Sequence, residues 1–209
     1  KNMTQKESFM PFRKKMRPMT PVNATVVVPV TKAPHPEGRR GPMELQDWHM
    51  ALLKAIAIAK KLNAGILILS ALKIEGQKSE ADAYRDALLA QGLAECADWS
   101  EMLGKDAGGR FIVIRRCVET IGQMKAIGAF ADRLKFKTVF VSTKLHYLRV
   151  RWLTLGFWAE HVCSFRGRSR RREAVTDIVL TFALPILDLF RLRRWFQYRI
   201  ICRRINGAF

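Results

Sequence analysis

The sequence predicts an α/β protein with a three-layer, Rossmann-like fold around a mainly parallel sheet of about five strands. Three observations support this prediction. Short runs of β-branched and aliphatic residues alternate with longer segments of helical periodicity. The strand-like runs are apolar throughout, which is typical of strands buried on both faces. Of the 209 residues, 49% are hydrophobic, so the chain is long and apolar enough for one domain with a substantial core.

The first half of the chain contains two strand–helix units. Helical periodicity in the first unit ends at Asn63, and the glycine two residues later is typical of a helix C-terminus. In the second unit Ser79 is placed to cap a helix, Asp82 completes a capping box and Gly92 ends the helix. The predicted strands and helices of this half are, in chain order, Thr25–Val30, Met43–Asn63, Gly65–Ala71 and Glu80–Leu89.

The second half resumes the alternation after a polar connection over Trp99–Gly109. Strands and helices at this spacing form crossover units, which join parallel strands. The predicted elements, three strands with two helices between them, are Arg110–Ile114, Glu119–Leu134, Lys137–Ser142, Lys144–Leu155 and His161–Phe165.

Charge divides the chain into three parts. The formal net charge is +19, and the excess lies mainly near the two ends. We therefore expect a basic N-terminal arm over residues 1–22, an α/β domain over 23–190 and a basic, aromatic tail over 191–209. A field this positive attracts phosphate-rich partners, whether nucleic acid, anionic lipid or a charged small ligand.

The apolar segment Ala174–Phe190 has two interpretations. The favoured one is a last core helix that covers the sheet. Alternatively, the segment and the tail suit attachment to anionic lipid, through the arginines Arg191, Arg193, Arg194 and Arg199. Charged residues and a proline interrupt the segment, so no membrane-spanning helix is predicted. We expect a cytoplasmic protein, with membrane association left open.

The cysteines predict neither a metal site nor a redox motif. All four, at positions 96, 117, 163 and 202, are widely spaced and form no C-x-x-C pair. Cys117 has two interpretations. The favoured one is a structural thiol, and the alternative is a thiol whose pKa is lowered by the two arginines that precede it. The sequence has no glycine-rich dinucleotide fingerprint, P-loop or G-x-S-x-G elbow, and it identifies no cofactor.

The fourth predicted strand leads into the best candidate site. In open parallel sheets, ligands bind where strands end and helices begin. Here Ser142 and Thr143 are followed by His146 and Arg149, which are three residues apart and share one helix face. An imidazole and a guanidinium beside hydroxyls suit an anionic substrate. The alternative is a hydroxyl cap with two surface side chains.

The second and third strands lead into similar edges. Ser70 and Glu80 follow the second strand, where a carboxylate can bind a ribose hydroxyl or act as a base. The helix dipole also favours an acid in a first turn without any functional role. Thr120 and Gln123 follow the third strand in the same way.

The residues at these edges resemble motifs of the YdcF-like family, which includes the SanA and ElyC envelope proteins. The segment FVSTKLHYLRVRWLTLGF is similar to the family's V-T-S-x-x-H-x-x-R-A, and SEADAYRDALLAQGL is similar to its S-E-A motif and helix. Thr120 and Gln123 lie where the family has a Thr and then an Asn. The resemblance covers roughly residues 25–188.

The resemblance implies a domain that binds a small anionic ligand containing phosphate or a nucleotide, in cell-envelope metabolism. It implies catalytic roles for His146 and Glu80. It implies ligand-binding roles for Ser70, Thr120, Gln123, Ser142, Thr143 and Arg149. The chain is a divergent member on this interpretation, because the glycines expected after the first two strands are missing and Ile114 or Arg115 replaces an acid.

Two other functions remain open from the sequence. One is a non-enzymatic basic protein that binds nucleic acid or a large complex, since arginines interleave with aromatic residues in the tail. The other is a peripheral membrane protein attached through that tail.

Overall fold

The computed structural model describes residues 24–30, 42–71, 79–117, 119–165 and 171–205. The predicted N-terminal arm lies outside these residues. Within them the fold is a six-stranded parallel sheet flanked by helices, as the sequence predicts, with one strand more than expected. The strands are β1 (Thr25–Pro29), β2 (Gly65–Leu69), β3 (Ala94–Glu95), β4 (Arg110–Ile114), β5 (Lys137–Thr143) and β6 (Ala159–Phe165).

The strand missed by the sequence analysis is β3, which has two residues and lies at one edge of the sheet beside β4. The connection that follows it also contains a short helix. The helices are α1 (Pro42–Leu62), α2 (Glu80–Ala90), α3 (Trp99–Met102), α4 (Thr120–Leu134), α5 (Lys144–Leu153), α6 (Arg171–Leu189) and α7 (Arg193–Ile205).

The order of strands across the sheet is β3-β4-β2-β1-β5-β6. Strand β1 pairs with β2 on one side, with Val27 opposite Ile66, and with β5 on the other, with Val27 opposite Val139. The chain therefore builds outwards from β1 in one direction and later returns to β1 to build in the other. This reversal is the topological switch point at which ligands bind in open α/β sheets.

Successive side chains of the strands point to opposite faces of the sheet, and this divides the core into two layers. Val27, Ile66 and Ile68 pack with α1 and α2 on one face of the sheet. Val26 and Val28 point the opposite way and pack with residues of α3, α4 and α5. Successive side chains of a strand point to opposite faces, so an apolar run such as VVV serves both layers at once. This arrangement gives the three layers that the sequence predicts.

The capping box predicted for α2 is present. The Ser79 hydroxyl accepts a hydrogen bond from the Asp82 backbone N–H at 3.1 Å, and the Ser79 N–H donates to Asp82 Oδ2 at 3.0 Å. The helix ends before Gly92, whose φ of +76° is a left-handed conformation that glycine adopts without strain. Local sequence thus fixes both ends of α2.

The apolar segment at the end of the chain forms α6, which packs mainly against α5. Leu184 is buried, whereas much of the helix surface is exposed. The turn into α7 is held to α5, because Trp152 Nε1 donates a hydrogen bond to Asp188 at 2.9 Å and Arg193 forms an ion pair with the same carboxylate. Among the described residues, no helix is long and apolar enough to cross a membrane.

Candidate functional site

The candidate site lies along the carboxyl ends of β2, β1 and β5, which are neighbours in the sheet. Ser70 directly follows β2, and Ser142 and Thr143 end β5. Strand β1 lies between them. Since neighbouring strands are about 4.8 Å apart, the ends of β2 and β5 are separated by roughly 10 Å.

At the end of β5 the chain enters α5 directly. Ser142 is buried and its hydroxyl lies 3.4 Å from the Thr143 carbonyl oxygen. Thr143 is the N-cap residue of α5, but its side chain makes no capping hydrogen bond. The hydroxyl cap of the alternative interpretation is therefore absent at this helix. Its first-turn N–H groups are not capped by Thr143, and such groups favour an anion.

His146 and Arg149 are in direct contact on α5. Arg149 Nη2 lies 2.6 Å from His146 Nδ1. The same Nη2 lies 3.3 Å from His146 Nε2, and because a guanidinium has no acceptor, Arg149 is the donor in this contact. Arg149 is only 9% exposed and His146 is half-buried. The alternative of two surface side chains is therefore wrong for Arg149.

On the other side of β1, Ser70 and Glu80 form a buried pair. The Ser70 hydroxyl donates a hydrogen bond to Glu80 Oε2 at 2.9 Å, and the two residues are 3% and 6% exposed. Glu80 is the first residue of α2, where the helix dipole favours a negative charge. The pair joins the end of β2 to the start of α2 and places a carboxylate one strand away from the switch point.

Gln123 connects α4 to this same region. Its side-chain amide donates a hydrogen bond to the Leu69 carbonyl oxygen at 2.8 Å, which fixes α4 against the end of β2. Thr120 is the first residue of α4 and is half-buried. The predicted residues therefore form two groups on either side of β1, one on α5 and one joined by Ser70, Glu80 and Gln123.

Glu119 was not among the site residues predicted from the sequence, and it is 3% exposed at the start of α4. Glu119 Oε1 accepts hydrogen bonds from the Gly122 N–H at 2.6 Å and from Gln197 Nε2 of α7 at 2.8 Å. Its Oε2 is buried and has no hydrogen-bond partner among the described residues. Glu119 therefore places a carboxylate after β4, although Ile114 or Arg115 replaces the acid that the YdcF-like pattern has directly after this strand. The position of Glu119 just before a helix was the available signal.

Arg115 is not a free cation at this edge. Its Nη2 lies 2.7 Å from Asp82 Oδ1, and its Nε donates to the same oxygen at 3.1 Å. The hydrogen bond from the Ser79 hydroxyl, together with those from Arg115, lowers the pKa of Asp82 from 3.8 to about 2. The arginine that replaces an acid of the YdcF-like pattern therefore has its own counter-ion, supplied by α2.

The possibility of a reactive thiol at Cys117 is not supported. Burial, and then the nearby Glu119 carboxylate, raise the pKa of this thiol to about 11, against the smaller opposite effect of Arg116. Cys117 also has a left-handed backbone, with a φ of +64°. Its thiol is therefore protonated at neutral pH, and the structural interpretation of Cys117 fits better.

Among the described residues, no group of three or more His, Cys, Asp or Glu side chains is arranged to hold a metal ion. Comparison with known proteins found no matching family model, no matching curated protein and no matching solved structure. The resemblance to the YdcF-like family therefore depends on the motifs alone.

Proposed function

We propose that this protein binds a small anionic ligand, containing phosphate or a nucleotide, across the carboxyl ends of β2, β1 and β5. The observation that supports this most directly is the buried Arg149 in contact with His146 at 2.6 Å, beside the switch point of the sheet. A guanidinium presents a fork of N–H donors that matches the geometry of a phosphate, which makes an arginine at this edge of the sheet a strong functional candidate.

The two groups of residues suit two parts of one ligand. Arg149 and the first turn of α5 supply positive potential for a phosphate. Glu80, on the other side of β1, supplies a carboxylate that can accept hydrogen bonds from sugar hydroxyls. The separation of roughly 10 Å between the ends of β2 and β5 is compatible with a ligand of mononucleotide size. The YdcF-like motifs add cell-envelope metabolism as the setting.

The hydrogen bonds also favour particular roles if the site is catalytic. Arg149 donates a hydrogen bond to the His146 ring, which occupies a ring nitrogen that a proton acceptor would need. Glu80 is then the better candidate for the proton acceptor, oriented by Ser70. His146 and Arg149 would stabilise negative charge that develops on the ligand.

The test is a thermal-shift screen of the purified protein against nucleotides, sugar nucleotides, inorganic phosphate, polyphosphate and short RNA. A ligand that binds only the folded state raises the melting temperature. We expect a small ligand to raise it in the wild type and in Arg151→Met, but much less in Arg149→Met. Arg151 is the matched control, because it lies two residues further along α5 and is exposed.

Each variant is compared with its own ligand-free melting temperature, so that a loss of stability is not mistaken for a loss of binding. Equal shifts in Arg149→Met and the wild type would contradict the proposal. Stabilisation by polyanions alone, reduced equally by both substitutions and abolished by salt, would instead support the basic protein that binds nucleic acid.

A further inference from the structure

Helix α6 exposes a continuous apolar face. Six large residues at helical spacing are each between 45% and 78% exposed, and we call them the α6 stripe: Val175, Ile178, Val179, Phe182, Ile186 and Leu189. Leu184, on the opposite side of the helix, is 1% exposed and packs inwards. The helix is thus apolar on two faces, and only one of them is buried by the described chain. Contiguous exposed patches of this kind usually mark an interaction surface.

The chain beyond the stripe is both aromatic and basic. Trp195 and Tyr198 of α7 are 58% and 65% exposed. Three exposed arginines accompany them, and we call these the basic collar: Arg191, Arg194 and Arg199. Arg199 lies over the Trp195 ring, 5.9 Å from its centroid. Arg193 is different, because it is half-buried and paired with Asp188.

We propose that the α6 stripe docks on an anionic lipid bilayer, with α6 lying in the plane of the interface. An apolar helix face flanked by arginines and by Trp and Tyr is the pattern of an interfacial helix. The apolar side chains would enter the boundary between headgroups and acyl chains. The basic collar would remain among the headgroups, and the amphipathic rings of Trp195 and Tyr198 suit the same depth. This inference is independent of the proposed ligand site.

Charge favours a bilayer over a second copy of the chain. The formal charge of +19 makes two copies of the chain repel each other. Anionic headgroups have the complementary charge, and each exposed arginine near such a surface adds to the attraction. Nucleic acid would satisfy the arginines but not the α6 stripe, since aliphatic side chains gain little from a phosphate backbone.

The test is co-sedimentation of the full chain with vesicles of phosphatidylcholine, with and without phosphatidylglycerol. The test variant is Phe182→Gln/Ile186→Gln, at the centre of the stripe. The control is Met50→Gln/Leu89→Gln, which changes two exposed apolar residues on α1 and α2. All four positions are exposed, so we expect both variants to fold, which is checked by their thermal unfolding.

We expect the wild type and the control to bind vesicles that contain phosphatidylglycerol, and to bind neutral vesicles far less. The test variant should lose at least about tenfold in its partition coefficient, because burying even one large apolar side chain is worth that much.

Equal binding by the test and control variants would overturn the proposal, as would equal binding to neutral and anionic vesicles. It would also be overturned by a wild type that binds no vesicle. If the wild type binds no vesicle but forms a dimer, and Phe182→Gln/Ile186→Gln disrupts that dimer, the stripe is assigned to self-association. RNA binding that this variant leaves unchanged would assign the arginines to nucleic acid.

Discussion

The Ser70 hydroxyl donates a hydrogen bond to Glu80 Oε2 at 2.9 Å, and both residues are buried where β2 ends and α2 begins. This contact orients the only carboxylate among the site residues predicted from the sequence. A buried carboxylate loses much of its hydration. The groups that donate hydrogen bonds to it therefore fix its position and reduce the free-energy cost of burying it.

We expect Ser70→Ala to lower the free energy of unfolding by about 1–3 kcal/mol, because it removes a donor from a buried carboxylate. Glu80→Gln keeps an oxygen that can accept the Ser70 hydrogen bond, so it should cost less stability while removing the charge.

If Glu80 acts on the ligand, Glu80→Gln weakens ligand-induced thermal stabilisation more than Asp86→Asn does. Asp86 is the control, because it is an exposed carboxylate on the same helix. Urea unfolding and the thermal-shift screen measure the two effects separately. A larger loss of stability in Glu80→Gln than in Ser70→Ala would contradict this account.

The pKa of Asp82 gives a prediction about acid stability. The folded value of about 2 lies below the usual 3.8, so ionised Asp82 stabilises the fold fully above about pH 4. This contribution is lost as the pH falls from 3.8 through 2. The stability difference between the wild type and Asp82→Asn should therefore be largest above pH 4, about 1 kcal/mol on the scale of helix caps, and shrink towards pH 2. Urea midpoints measured across this range check it. A difference that does not change with pH would show that the charge of Asp82 has no part in it.

Cys117 should resist alkylation in the folded protein. With a pKa of about 11, only roughly one thiol in a thousand is ionised at pH 8. We expect iodoacetamide to label Cys117 slowly under native conditions and rapidly in urea, as followed by peptide mass spectrometry. Rapid native labelling at this residue would restore the reactive-thiol hypothesis.

Gly65 begins β2 in a place where a larger residue does not fit. A Cβ at this position would collide with Met102 Cγ and lie 2.9 Å from the Met102 carbonyl oxygen. We expect Gly65→Ala to cost about 1–3 kcal/mol of stability, the usual range for overpacking. Adding Met102→Ala should not restore stability, because the backbone collision remains and a buried side chain is lost. Gly156→Ala is the control, since a Cβ there meets no atom within 4 Å. Similar losses in the two glycine variants would contradict the packing argument.

The long elements could be predicted from the sequence because their patterns are strong. The VVV run and the GILIL run are apolar on both faces, and the structure uses both faces of each. Strand β3 could not be predicted in this way, since two exposed residues show no periodicity. This strand forms only because it pairs with β4, and that long-range contact leaves no local signal in the sequence. The boundaries of α1, α2, α4 and α5 differed by at most two residues, which is the usual extent of fraying, whereas α6 begins three residues before the predicted apolar segment.

The site shows the same division between local and long-range information. The spacing of His146 and Arg149 placed both on one helix face, and they are in contact. Contacts that cross the chain were not predictable, such as Gln197 with Glu119 and Arg115 with Asp82. For α6, local pattern indicates an apolar helix but does not say which face finds a partner. That depends on tertiary packing: α6 packs mainly against α5, Leu184 is buried and Phe182 is exposed.

The position of β1 between β2 and β5 has a consequence for folding during synthesis. Val27 can pair with Ile66 once the first strand–helix unit is complete, but its other partner, Val139, is made only near the end of the domain. Until then the VVV segment has one unpaired edge, which is able to template aggregation. Long-range pairing of this kind also slows folding. The strong positive charge of the chain offers some protection in this interval, because growing chains repel each other before the central strand is enclosed.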